Sequence, residues 1–123
     1  MTKSVKLSPA DLRQFAGGTE HYYRHGLNRN ITFTDGAKYV ADEGGAYWLL
    51  DLIAVSQGRD KRLDRQQFQV WKLVVSPDNT ATITVEDGNC NVLLRQRIAF
   101  TDFPSEGIVL WFSGGVIYLP VEH

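Results

Sequence analysis

The sequence predicts an α+β fold, a mostly antiparallel sheet of about five to seven strands with a short N-terminal helix and one buried central helix packed on it. Three observations carry that expectation. A capped helix start stands at Leu7-Ser8-Pro9-Ala10-Asp11-Leu12, and a dense apolar run occupies 46–57. Beyond residue 67 the chain alternates between short β-rich segments and clusters of Gly, Pro, Asn and Asp. Helices and strands are therefore segregated along the chain, which favours α+β over a parallel α/β fold.

The first helix is expected over about Pro9 to Ala16. Ser8 can accept the Asp11 amide while the Asp11 carboxylate reaches back to the Ser8 amide, with Pro9 at the first helical position. Leu7 and Leu12 form the flanking staple, Leu12 and Phe15 face the core, and Gly17-Gly18 end the helix. After the polar and aromatic segment Thr19 to Asn30, Ile31 to Thr34 reads as a strand. Asp35-Gly36 follows as a tight hairpin turn, and Ala37 to Ala41 as the return strand.

Ala46 to Gln57, stopped by Gly58, reads as the central helix. Its apolar residues cover nearly the whole circumference, which calls for a sheet on one side and cover on another. A buried strand competes over Tyr47 to Val55, because so short an apolar run has no decisive period. Arg59 to Arg65 is a solvated connection. Phe68 to Val75 and Ala81 to Val85 flank Pro77-Asp78-Asn79 as a hairpin, with Thr80, Thr82, Thr84 and Glu86 toward water. A strand over about Asn91 to Phe100 sets Val92, Leu94, Ile98 and Phe100 opposite Arg95 and Arg97. Ile108 to Phe112 and Val116 to Leu119 then flank Ser113-Gly114-Gly115 as a last hairpin, apolar on both faces and hence central.

The chain's 123 residues suit one domain spanning 1–123. With 43% hydrophobic and 22% charged residues, the chain can close a core and is not compositionally disordered. Thirteen Lys and Arg against fourteen Asp and Glu leave a net charge of -1, with no overall pull toward nucleic acid or an anionic membrane. The single Cys90 cannot form an internal disulfide, which points to a reducing compartment and a cytoplasmic protein. Met1 to Leu7 has Lys3 and Lys6 without a following apolar run, so no secretory signal is expected. Ala46 to Val55 contains Asp51 and is too short to span a bilayer.

Glu20-His21-Tyr22-Tyr23-Arg24-His25 is the most unusual segment. Were it helical, His21 and His25 would share a face at a spacing that can present two imidazoles to one metal ion. The plain alternative packs Tyr22 or Tyr23 and leaves the histidines near the surface. Asp51, a lone acid in an apolar helix, needs a hydrogen-bond or charge partner if buried. Asp35, Asp42, Glu43, Asp87 and Asp102 sit at turns and helix starts, where backbone hydrogen bonding places such residues. Cys90 lacks any feature that would pair it with a histidine as a nucleophile. Gly44-Gly45 and Gly114-Gly115 lack the Lys-Ser/Thr that a phosphate loop carries, and no motif for a cofactor is present. Arg13, Arg24, Arg29, Arg59, Lys61, Arg62, Arg65, Arg95 and Arg97, with Tyr22, Tyr23 and Trp71 for stacking, could form a nucleic-acid surface, but the balance of charge does not favour it.

Leu12-Arg13-Gln14-Phe15, Glu20 to His25, Thr34 to Tyr39, Gly44 to Asp51, Phe68 to Leu73 and Ile98 to Pro104 together resemble a family of small uncharacterised bacterial "plasmid-related" proteins. The likeness spans most of the chain and implies an accessory role in a mobile element, with no activity to carry over. The leading expectation is thus a non-enzymatic module that binds a protein of the bacterial host or mobile element, acting on a host defence or maintenance system. Tyr22, Tyr23, Arg24, Tyr47 and Trp48 are its candidate surface. The alternatives are a small hydrolase or transferase using His21, His25 and Asp51, and a nucleic-acid-binding protein. Self-association is a further expectation if Val116 to Leu119 forms an apolar edge.

Overall fold

The computed structural model describes residues 7–64 and 66–123. Lys3 and Lys6 of the leader reading, and Arg65 of the basic connection, lie outside the described residues. The α+β expectation holds, as one seven-stranded sheet, mostly antiparallel, with helices.

The N-terminal helix α1, Pro9–Leu12, carries the predicted capping box, with Ser8 N donating to Asp11 Oδ2 at 3.0 Å and Asp11 N to Ser8 Oγ at 3.2 Å. It tightens after Leu12 into a 3₁₀ turn, Arg13–Phe15, so the expected helix is present but not α-helical throughout. Leu7 is buried, and Leu12 and Phe15 pack half-buried against the core.

The Glu20 to His25 segment is a strand rather than a helix: β1 is Tyr22–Arg24, paired antiparallel with β2, Thr32–Thr34. The Asp35-Gly36 hairpin is overturned. Asp35–Gly44 is a helix, α2, that starts where β2 ends, because Thr34 caps it by accepting the Ala37 amide at 3.2 Å. Ala37, Val40, Ala41 and Gly44 then recur at helical spacing and are all buried. Gly36 has a steric role here. A Cβ on it would lie 2.5 Å from Glu122 Oε1, and the Glu122 carboxylate occupies that space to accept Gly36 N at 3.2 Å and Thr34 Oγ1 at 2.6 Å. A distant acid at the helix N-terminus has overridden a local turn signal.

The central helix is α3, Tyr47–Ser56, as expected, with Leu49, Leu50, Ile53 and Ala54 buried. Its other side is only partly covered, leaving Tyr47 exposed. Within the connection, Lys61–Asp64 forms a short helix, α4, that buries Leu63 completely. The remaining strands are β3 (Phe68–Val75), β4 (Ala81–Glu86), β5 (Val92–Ile98), β6 (Ile108–Ser113) and β7 (Val116–Tyr118).

The sheet order is β1-β2-β7-β6-β3-β4-β5, and only β2 and β7 run parallel. The last hairpin is central, so β7 lies between β2 and β6 and cannot serve as a pairing edge. The edges are β1 and β5. Of the apolar face expected for β5, Leu94 and Ile98 pack half-buried against the core, while Val92, at the register shift beside Glu86, and Phe100, past the end of the strand, are exposed. Its Arg95 and Arg97 are exposed as well, which blunts the edge against pairing.

Register divides the sheet into two faces. Phe33, Trp71, Leu73, Ile83, Val85, Leu110, Phe112 and Ile117 share one face and join the buried residues of α2 and α3 in a single core. Tyr22, Arg24, Thr32, Phe68, Val70, Lys72, Thr82, Thr84, Trp111, Val116 and Tyr118 point the other way.

Candidate functional site

The two histidines of the unusual segment do not converge. A strand separates them by roughly 13 Å of extended chain. Each has its own carboxylate: His21 Nδ1 lies 3.5 Å from Asp35 Oδ1, and His25 Nε2 lies 2.8 Å from Asp51 Oδ1. Among the described residues no group of three or more His, Cys, Asp and Glu is placed to hold a metal ion.

Asp51 is half exposed rather than buried, and it is the partner of a buried histidine. His25 is buried, and its Nδ1 accepts the backbone amides of Leu27 and Asn28, both at 3.1 Å. Two N–H donors on Nδ1 require that nitrogen to carry no proton, so Nε2 holds it and donates to Asp51. Both ring nitrogens are thus engaged, and neither faces a substrate as a general base must. The pair holds the 26–30 loop against α3, where Asn28 Nδ2 also donates to Ala54 O at 3.1 Å.

A second polar cluster joins β1 to the exposed side of α2 and the start of α3. The Asp35 carboxylate accepts Glu20 N at 3.0 Å, His21 N at 3.2 Å and the Tyr23 hydroxyl at 2.9 Å. Burial works against its charge, but these donors outweigh it and hold the carboxyl at about 2. Lys38 sits 5.6 Å over the Tyr23 ring and pairs with Asp42, which also accepts the Tyr47 hydroxyl. Hydrogen bonding to these partners moves Asp42 down and Lys38, Tyr23 and Tyr47 up. Every shift in the cluster moves its group's pKa further from 7, the reverse of an acid or base poised for proton transfer near pH 7. Tyr23 and Tyr47 are therefore brought together, as parts of one hydrogen-bonded network.

Of the other candidate contacts, two lie on the open face of the sheet and one against the core. Tyr22 and Arg24 project from the opposite face of β1, with Tyr22 exposed, and Arg24 Nη1 donates to Arg29 O at 2.9 Å. Trp48 packs half-buried against the core. Trp71, considered for base stacking, is buried, with its indole N–H on Gln69, and cannot reach a ligand.

Sequence reasoning named Tyr22 and Arg24 on the open face of the sheet but missed the aromatic cluster at its centre. There Trp111 meets Phe68 edge-on at 5.1 Å, Tyr118 at 6.1 Å and His123 at 5.4 Å, and Tyr118 stacks on His123 at 5.9 Å. These rings are only half-buried or exposed, while the two long helices pack on the other face. Lys72, Thr82, Thr84, Arg95 and Arg97 continue the same face toward β5. One signal was available, namely Trp111 and Tyr118 at positions alternating with Leu110, Phe112 and Ile117.

A cleft of about 690 Å³ opens between the 26–31 loop and the β6–β7 turn. No described residue lining it carries a charge, and its polar groups are carboxamides, Ser113 and glycine backbone.

The sequence matches a family described as a family of unknown function, DUF6876, over residues 6–123. No curated protein and no solved structure matches it.

Proposed function

The chain belongs to this family of unknown function, DUF6876, and since membership carries no activity, we propose from geometry a non-enzymatic module that docks a partner protein on the open face of its sheet. The observation that carries the proposal is the aromatic cluster of Phe68, Trp111, Tyr118 and His123 on the face opposite α2 and α3. Aromatic and arginine side chains dominate interface energetics, and the same face carries Arg24 on β1 and, beyond β4, Arg95 and Arg97 on β5. The partner that complements it has an apolar centre and an acidic rim. The likeness to plasmid-related proteins supports a bacterial mobile element as the setting and a host defence or maintenance protein as the partner. The lone Cys90 is in keeping with the cytoplasm.

Affinity capture from bacterial host lysates tests this. The intact protein should retain a specific protein that Trp111→Ala and Arg95→Glu/Arg97→Glu each lose by about tenfold or more. Equal recovery by all three, or nothing above background across several hosts, rejects the reading.

The same face favours one second reading, single-stranded nucleic acid, since partly exposed rings on β3, β6 and β7 share it with Arg95 and Arg97 on β5, and such ligands stack on rings and pair with cations. Binding of an oligonucleotide that weakens steeply with salt would support it, and no binding at low salt would end it.

A further inference from the structure

We propose that the cleft between the 26–31 loop and the β6–β7 turn binds a short, uncharged, extended peptide segment, supplied by the partner protein; this rests on the protein-binding reading above. Its volume of about 690 Å³ falls within the range of ligand pockets, and its lack of charged lining among the described residues disfavours an ionic ligand. What remains is a neutral molecule offering donors and acceptors together.

The walls are built rigidly. Asn28 holds Ala54 O and the Asn30 amide, and Gln57 exchanges carboxamide hydrogen bonds with the buried Gln69, both at 2.9 Å. The His25–Asp51 pair fixes the loop behind Asn28. By contrast, the side chains of Asn30, Gln66, Gln67 and Ser113 make no hydrogen bond to any described residue, although all four line the cleft.

A carboxamide reproduces the donor and acceptor of a peptide group in one plane, so three of them can pair with successive main-chain amides. Ile31, Leu63 and Phe112 form an apolar floor that suits one aliphatic side chain of the segment. Gly114 and Gly115 add a rim of bare backbone.

The test is an NMR titration of the full chain with capped acetyl-Gly-Ser-Leu-Gly-Asn-amide, its Asp-flanked counterpart, maltotriose and uridine as probes. The neutral peptide should shift the side-chain NH₂ signals of Asn30, Gln66 and Gln67. Gln66→Ala/Gln67→Ala should weaken it about tenfold with spectral dispersion intact, and the acidic peptide should bind about tenfold more weakly. No response to the neutral peptide at about 10 mM, or a response to maltotriose or uridine instead, overturns the inference. If the cleft is silent while Trp111→Ala still abolishes capture, only this inference falls. If Gln66→Ala/Gln67→Ala abolishes capture and Trp111→Ala does not, the cleft stands and the sheet-face reading falls.

Discussion

His25 and Asp51 are 26 residues apart, one just after an edge strand and the other on the central helix, and their side chains meet at 2.8 Å. Because His25 Nδ1 is held by two backbone amides, the imidazole is a bracket for the 26–30 loop, and the carboxylate fixes its tautomer. His25→Ala leaves two amides without their acceptor and should cost about 1–3 kcal/mol in urea unfolding. Asp51→Asn keeps an acceptor for Nε2–H and should cost under about 1 kcal/mol, clearly less than Asp51→Ala. Equal losses from the two Asp51 variants would show that the charge, not the hydrogen bond, matters.

Asp35 ties the 19–23 segment to the first turn of α2, and its carboxyl is held at about 2 against an ordinary 3.8. A folded value below the unfolded one means the carboxylate stabilises the fold above the unfolded value and stops doing so as pH falls through the folded one. Thermal unfolding of the wild type and Asp35→Asn should therefore differ by a constant margin above about pH 5, a margin that closes between about pH 4 and 2. A margin independent of pH would refute this account.

Gly107 has φ 65°, and a Cβ placed on it would sit 2.1 Å from the Leu73 carbonyl oxygen. The obstacle is backbone of β3, which cannot swing aside as a side chain can. Gly107→Ala should lose about 3 kcal/mol or more, combining steric overlap with left-handed strain. A denaturation midpoint near wild type would contradict that geometry.

The two faces of the sheet differ in what a tryptophan does. Trp71 is 2% exposed and bonded to Gln69, so Trp71→Ala should cost about 3–5 kcal/mol. Trp111 is half-buried among rings on the open face, and Trp111→Ala should cost roughly 1–2 kcal/mol, leaving a folded protein for binding assays. Comparable losses would mean that the outer face is structural.

What the sequence determined by itself was local. The Ser8–Asp11 box, the central helix and the β3–β4 and β6–β7 hairpins are each set by chemistry within a few residues or by burial of an apolar run. Only the tertiary structure decided that Asp35-Gly36 opens a helix, because its competitor for the turn is Glu122, which arrives from the far end of the chain to bind Gly36 N and Thr34. Only it decided that His21 and His25 take different carboxylates, since β1 needed β2 as a neighbour before it could be a strand rather than a helix. The convergence of the aromatic cluster and of the carboxamide cleft was decided there for the same reason. Phe68, Trp111, Tyr118 and His123 come from separate strands and the tail, and no spacing along one chain encodes which side of a sheet is left without helices.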